Sequence, residues 1–278
     1  MSLALLMAIL GAAFLHAGWN ALIKTGGNKQ SGMVVLSVGH AAAGALVAAT
    51  RPFPGAEVWP WLLASGLIHM AYQLLLSYAY DHGDLSRVYP IARGTAPMIV
   101  ALAGAVLLSD RLSPSEHAGI VVLGLGIIGM ARGVFASGES LRLLPFAFGS
   151  ALATAGYSMV DGTGARLSGD AIGYVGWLMM TSAVFYIPAA LGLRGRAAWP
   201  SGRREWALGL IAAFASYAAY AVVVWAMARA PIALVAALRE TSILFAMLIG
   251  WALFSDRMTA GKIVAGGLIV AGVILTRL

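Results

Sequence analysis

Four ionisable side chains lie inside long apolar runs of this sequence, and they are its clearest candidates for chemistry. They are Arg93, Asp161, Arg239 and Glu240. If these runs cross a bilayer, each such group costs roughly 2.5–3.5 kcal/mol at mid-helix, so it is expected to serve a function. An arginine can hold a substrate carboxylate, and a carboxylate can hold an amine or a coupling proton. Alternatively, each arginine bonds backbone carbonyls near a helix end. On a continuous helix Glu240 projects about 100° away from Arg239, so the two need not pair.

Polar residues also repeat at helical spacing. His16 and Asn20 are one turn apart, with Trp19 beside them, and Tyr157 and Asp161 are likewise one turn apart. A polar stripe on a membrane helix should face protein or water rather than lipid. We interpret these stripes as the lining of a cavity, with interhelical hydrogen bonds as the alternative.

Aromatic residues near these stripes form a third group. Tyr72 with Gln73, and Tyr217 with Tyr220, can form walls that stack against a substrate, although ordinary packing explains them equally well. The predicted substrate-binding residues are His16, Trp19, Asn20, Tyr72, Gln73, Arg93, Tyr157, Ser158, Trp177, Tyr217, Tyr220 and Arg239. The predicted ion-coupling residues are Glu240 and Asp161.

Enzyme chemistry has no support in the motifs. The chain has no cysteine and no His-Glu-x-x-His sequence, and His16, His40 and His69 fall on three different predicted helices. We therefore predict no catalytic residue, no metal site and no cofactor. His40 and His69 are interpreted as buried histidines with satisfied hydrogen bonds.

The composition places these residues in a membrane protein. Of 278 residues, 60% are hydrophobic and only 10% are charged, and the mean hydropathy is +0.86. Soluble domains carry about 25% charged residues. The net charge of +7 is spread singly between apolar runs, which suits anionic headgroups and excludes a nucleic-acid surface.

Ten segments are long and apolar enough to cross a bilayer, because a spanning helix needs about 20 residues. They are residues 2–24, 33–50, 59–80, 85–109, 115–135, 143–163, 172–193, 205–228, 232–254 and 259–277. A shift of 146 residues then places Arg93 on Arg239, and Ser109-Asp110-Arg111 on Ser255-Asp256-Arg257. The predicted fold is therefore all-α, with two five-helix repeats at 1–135 and 136–278. Because five is odd, the second repeat has inverted topology, which is typical of alternating-access transporters.

The repeat motifs resemble those of the drug/metabolite transporter superfamily, specifically its EamA-type exporters. In such proteins each half ends with an acidic-basic turn, then Leu or Met, then Ser, Thr or Pro, before a Gly-rich helix. Residues 109–113 and 255–259 follow that pattern, and Glu240 lies in the ninth helix as expected. The resemblance implies export of amino acids or related metabolites, driven by an ion gradient or by exchange. A multidrug or cationic-compound exporter of the same fold is the alternative, and an intramembrane enzyme is a second class.

These observations complete the expected picture. We predict a multi-pass protein of the bacterial inner membrane whose partners are a small-molecule substrate, membrane lipid and a coupling proton. Helices five and ten brace a cavity lined by the other eight. Gly129 and Gly133 form a weak dimer motif, so a monomer or weak dimer is expected.

The charge of the loops predicts that both chain termini lie outside the cell, since 11 of the 18 Lys and Arg residues lie in odd-numbered loops. The resemblance favours cytoplasmic termini instead.

Overall fold

The computed structural model describes residues 1–24, 29–82, 95–130, 143–200, 202–255 and 257–278, and within these ranges every regular element is a helix. The first half holds α1 (Leu3–Lys24), α2 (Lys29–Ala48), α3 (Trp59–His82), α4 (Ala96–Leu107) and α5 (Pro114–Met130). The second half holds α6 (Leu143–Ser168), α7 (Ala171–Arg194), a 3₁₀ turn (Gly195–Ala198), α8 (Arg203–Met227), α9 (Ile232–Arg239), α10 (Ser242–Phe254) and α11 (Ala260–Leu275).

The helices have the length and composition of membrane spans. In the described part of the chain, six segments are long and apolar enough to cross a bilayer, with α9 and α10 counted together as one. The helices α4, α5 and α11 are apolar but shorter. The remaining helix, α6, has 26 residues and carries several polar groups, among them Ser150, Thr154, Ser158 and Asp161. The predicted all-α membrane fold of two repeats is confirmed.

The repeat of 146 residues is visible in the helix boundaries. The helix α4 begins at Ala96 and α10 begins at Ser242, which is 146 positions later. The helix α5 begins at Pro114 and α11 begins at Ala260, at the same offset. Equivalent sequence therefore starts equivalent helices in the two halves.

The shared Ser or Thr before the closing helix is an N-cap. Before α5, the Glu116 backbone N–H donates to Ser113 Oγ at 3.2 Å, and the Ser113 N–H donates to Glu116 Oε2 at 2.8 Å. Before α11, Thr259 Oγ1 accepts from the Lys262 N–H at 3.4 Å. Such caps satisfy backbone donors that have no partner within the helix. The motif that identified the repeat therefore has a local structural cause.

The two halves pack with the symmetry expected of a pseudo-two-fold axis. The helix α1 packs on α8 and, equivalently, α6 packs on α3. Two further pairings join equivalent helices, namely α2 with α7 and α5 with α11, and α4 packs on α9, the first part of the ninth span. The interface between the halves therefore runs through the whole bundle.

Small residues let equivalent helices come into backbone contact. A Cβ on Gly126 would lie 2.8 Å from the Ala265 carbonyl oxygen, and a Cβ on Gly272 would lie 2.7 Å from the Gly119 carbonyl oxygen. The two contacts are related by the 146-residue shift. Gly129 also faces Ala265 within the chain, while Gly133 lies outside the described residues. Gly129 therefore serves packing between the halves.

Replacing Gly272 by Val tests this packing. The added Cβ would meet backbone atoms of Gly119 and Leu123 within 2.7 Å, and overpacking of this kind costs about 1–3 kcal/mol. We expect a lower melting temperature in detergent. Gly267→Val is the matched control, because a Cβ there meets no atom within 4 Å. Equal melting temperatures for the two variants would contradict the close crossing of α5 and α11.

Candidate functional site

Asp161 is the centre of a buried polar cluster. Its side chain is fully buried on α6 and accepts hydrogen bonds from the hydroxyl groups of Ser65 on α3 and Tyr220 on α8. The Tyr174 hydroxyl on α7 lies 3.4 Å from Oδ1, and His69 Nε2 on α3 lies 3.1 Å from Oδ2. The carboxylate thus joins four helices drawn from both halves.

Aromatic rings form one wall of this cluster. The Tyr157 ring stacks on the His69 imidazole, with centroids 4.1 Å apart and planes 18° apart. Tyr72 meets the Tyr157 ring edge-on at 5.5 Å, and Tyr220 does so at 6.0 Å. Tyr157 and Asp161 project from the same face of α6, as the predicted stripe requires.

Arg239 and Glu240 form an ion pair beside this wall, an interaction that the sequence left open. Arg239 Nη2 lies 3.0 Å from Glu240 Oε1, and Arg239 Nε lies 3.1 Å from it. The pair lies at a break in the ninth span, because α9 ends at Arg239 and α10 starts at Ser242. The long Arg239 side chain reaches Glu240 from the adjacent position.

The ion pair and the Asp161 cluster are neighbours. The Arg239 guanidinium carbon lies 5.8 Å from the centroid of the Tyr157 ring, and Arg239 is within electrostatic range of Tyr220. Arg239 is 3% exposed and Glu240 is fully buried. A carboxylate and a guanidinium–carboxylate pair therefore lie close to the same group of aromatic rings, and Asp161, Arg239 and Glu240 are all buried.

Gln73 connects the helices behind the site. Its Oε1 accepts from Ser37 Oγ on α2 at 2.9 Å, and its Nε2 donates to Ser182 Oγ on α7 at 3.4 Å. Because both ends of the amide are used by protein, Gln73 positions α2, α3 and α7.

Other predicted residues lie away from Asp161 or have local partners. In α1, Trp19 Nε1 donates to His16 Nδ1 at 3.3 Å, and Asn20 Nδ2 donates to the His16 carbonyl at 2.8 Å. The sequence suggested that this stripe either lines a cavity or makes interhelical hydrogen bonds. These two bonds are instead made within α1. Ser158 likewise donates to the Thr154 carbonyl of its own helix. Arg93 lies outside the described residues.

Trp177 and Tyr217 lie in the neighbouring hydrophobic core of α2, α3, α7 and α8. The Trp177 ring packs edge-on against Phe53 and Trp59, with centroids 4.9 and 5.6 Å away. Among the described residues, Trp177 Nε1 and the Tyr217 hydroxyl are buried without a hydrogen-bond partner. Both groups are thus able to bind a polar atom that is not part of the protein.

Sequence reasoning missed Ser65, His69 and Tyr174 as members of the site. Ser65 and His69 are one helical turn apart on α3, followed by Tyr72 and Gln73. The same spacing rule that singled out Tyr157 and Asp161 finds this stripe too. His69 was interpreted as a buried histidine with satisfied bonds, and its partner has turned out to be the most highly bonded carboxylate of the site.

Ser65, His69 and Asp161 have the residue types of a hydrolytic triad but not its geometry. In such a triad the hydroxyl bonds to the imidazole, and the carboxylate bonds to the other ring nitrogen. Here the Ser65 hydroxyl donates to Asp161, and the described His69 bonds all use Nε2. The arrangement holds a carboxylate and does not activate a nucleophile.

A second polar network closes the end of the bundle that carries both chain termini, called here the terminal face. Arg166 at the end of α6 makes a two-pronged bond to Asp110, at 2.7 and 3.1 Å. The same guanidinium donates to the carbonyls of Met227 and Ala230, at 2.9 and 2.8 Å. Asp110 also accepts from the backbone N–H of Ile232 at 2.7 Å. We call this network the terminal lock, because it ties Asp110 of the first half to three segments of the second.

Comparison with known proteins decides the family. The sequence model of the EamA-like transporter family matches residues 3–132 and again residues 142–278. The chain belongs to the EamA-like transporter family. It is thus a multi-pass membrane transporter of the drug/metabolite transporter superfamily, as the motifs predicted.

The fold of this EamA-like transporter is also seen in solved structures, 29 chains of which match it. One is a crystal structure described only as that of a protein, with a TM-score of 0.78 and 18% sequence identity. The match covers 99% of this chain and 98% of that one, and at this identity it shows the fold alone. No curated protein matches the chain. The predicted boundary between the repeats at 135/136 falls in residues that the structure does not describe, and it stays a prediction.

Proposed function

We propose that this protein exports small metabolites, namely amino acids or related compounds, across the bacterial inner membrane by secondary active transport. The observation that carries the proposal is that a buried carboxylate, Asp161, and a buried guanidinium, Arg239, lie close to the same aromatic rings. Charged groups inside a membrane protein are costly and mark the substrate or ion path. Opposite charges near Tyr157 match the two ends of a zwitterion.

In this proposal Asp161 binds the substrate ammonium and Arg239 binds the carboxylate. Tyr72, Tyr157 and Tyr220 contact the apolar part of the substrate. Glu240 already occupies Arg239, so a substrate carboxylate has to compete with it. A proton on Glu240 removes that competition, which gives Glu240 a role in coupling.

Transport then follows from the inverted repeats. The halves rock about the site near the middle of the membrane, so that each face opens in turn. The terminal lock holds the terminal face closed in the state described here. Proton coupling, the zwitterionic substrate, and a monomer or weak dimer as the working unit are parts of the same proposal.

A cationic-compound exporter is the second candidate, and one observation favours it. Because Arg239 is paired with Glu240, the charge left available by the site is that of Asp161, in contact with aromatic rings. Carboxylates and aromatic faces are the groups that bind organic cations.

Transport by reconstituted protein separates these candidates. We expect saturable counterflow of zwitterionic amino acids in proteoliposomes. The charge-neutral pair Arg239→Gln/Glu240→Gln should reduce it about 10- to 100-fold, because a hydrogen bond to a charged group contributes about 1.5–3 kcal/mol. Arg229→Gln is the matched control, since Arg229 is exposed and bonds its own helix at the Trp225 carbonyl.

The outcome for amines decides between the two substrates. If primary and quaternary amines are carried equally well by wild type and the double variant, while amino acids are not carried at all, the cationic exporter is the correct reading. If neither class shows counterflow above empty liposomes, the proposed function is wrong in both forms.

A further inference from the structure

His69 is placed between the buried carboxylate and the aromatic wall, on α3 near the middle of its span. His69 is 7% exposed, its Nε2 lies 3.1 Å from Asp161 Oδ2, and its ring stacks on Tyr157. The Tyr220 hydroxyl lies 3.5 Å from the same nitrogen. Both the position and the rotation of the imidazole are therefore fixed.

The hydrogen bonds around Asp161 identify where the shared proton resides. The hydroxyls of Ser65, Tyr174 and Tyr220 all point to the carboxylate oxygens. Hydrogen bonds donated to a carboxylate favour its ionised form. The proton between Asp161 and His69 is consequently held by His69 Nε2, which donates it to Oδ2. In the neutral imidazole, Nδ1 is then the unprotonated nitrogen.

That second nitrogen is available. Within the described part of the chain, every hydrogen bond of His69 uses Nε2, and Nδ1 has no protein partner. A proton that binds Nδ1 produces an imidazolium whose charge is matched directly by Asp161. The carboxylate orients the ring and stabilises its charged form, as in other carboxylate–histidine pairs.

The charges facing His69 favour one added positive charge and no more. From α6 it meets Asp161 and the neutral Tyr157, and from α8 the neutral Tyr220. From α2 it is within electrostatic range of His40, and α7 contributes the Tyr174 hydroxyl on Asp161. Beyond Tyr157, Arg239 is balanced by Glu240. Together, Asp161, His69, Arg239 and Glu240 have a net charge of −1 when His69 is neutral and no net charge when His69 is protonated.

A substrate ammonium would neutralise Asp161 equally well, but imidazolium and ammonium together would leave a buried excess of positive charge. Building on the proposed function, we propose that His69 carries the proton that is exchanged for the ammonium group of the substrate. One proton binds Nδ1 when the ammonium leaves, and it is released when the next ammonium binds. For a substrate without a carboxylate, mutual exclusion at Asp161 is sufficient to couple the two movements. For a zwitterion, the proton that His69 releases balances the proton that Glu240 takes up.

The test follows the proton directly and requires no transport. Protein labelled with ¹⁵N-histidine is placed in lipid nanodiscs, and imidazole ¹⁵N resonances are recorded from pH 5 to 9. The samples contain methylammonium chloride or the same concentration of sodium chloride. We expect one resonance, absent from His69→Gln, to gain its proton at Nδ1 as the pH falls. Methylammonium should move the midpoint of that titration down by about one pH unit, because it competes for the same carboxylate.

Two controls make the result decisive. His117→Gln removes an exposed histidine whose ring contacts the Ser113 carbonyl, and it should leave the His69 titration unchanged. If His69→Gln does not fold, the combined variant His16→Gln/His40→Gln/His82→Gln/His117→Gln keeps His69 as the sole imidazole and gives the same readout. A His69 resonance that does not titrate, or that titrates without any response to methylammonium, overturns the inference. Failed counterflow together with a responsive titration would instead count against the proposed function alone.

Discussion

Asp161→Asn is expected to reduce transport in proteoliposomes at least about 100-fold. The carboxylate is fully buried and receives hydrogen bonds from α3, α7 and α8. An amide has one acceptor oxygen in place of two and no charge to balance an ammonium or an imidazolium. Removing one partner of a buried charge pair costs about 3–5 kcal/mol, which corresponds to a loss of about 100-fold or more.

Asp170→Asn is the matched control for this substitution. Asp170 lies at the surface, where it caps α7 by accepting from the Gly173 N–H at 3.1 Å. Asn caps helices as well as Asp does, so the transport rate of the Asp170→Asn variant should stay within about threefold of wild type. Both proteins are checked for the same elution volume from a size-exclusion column. Equal transport rates for the two variants would remove Asp161 from the site.

Arg166→Gln is expected to open the terminal face. The substitution removes the two-pronged bond to Asp110 and the bonds to two backbone carbonyls. Truncating one member of a buried, hydrogen-bonded charge pair costs about 2–5 kcal/mol, and the lower end of about 2 kcal/mol applies here, because the Arg166 and Asp110 side chains are 30% and 17% exposed. The equilibrium between the closed and open terminal face should therefore shift at least about 30-fold towards the open form.

The natural absence of cysteine provides the measurement. Ala233→Cys introduces a single thiol on the first turn of α9, at a position that is 4% exposed and lines a cavity of about 300 Å³ with Asp110. A water-soluble maleimide should modify it at least about 30-fold faster in the Arg166→Gln background.

Arg51→Gln serves as the control for charge on the same face. Arg51 Nη1 lies 3.6 Å from Asp170 Oδ1, and the two side chains are 44% and 32% exposed. Exposed pairs contribute about 0–1 kcal/mol, so the labelling rate should change by less than about fivefold. If labelling is no faster in Arg166→Gln than in Arg51→Gln, the network does not hold this face closed.

Much of the architecture was determined by the sequence alone, because it depends on local physical properties. Spans follow from the length of apolar runs, and inverted topology follows from five spans in each half. The matching starts of α4 and α10, and of α5 and α11, follow from repeated sequence. Ser113 and Thr259 mark the closing helices because an N-cap acts within one turn of its own residue.

The choice of partners for the polar side chains was decided only by the tertiary structure. His69 and Asp161 are 92 residues apart in the chain, and Asp110 and Arg166 are 56 apart. His16 and Asn20 look equally suitable in sequence, yet the Asn20 amide donates to the His16 carbonyl of its own helix. A polar group in lipid has to bond whatever donor or acceptor the crossing helix brings to it. Which helices cross depends on backbone contacts such as Gly126 with Ala265, and these are formed only when the two halves pack together.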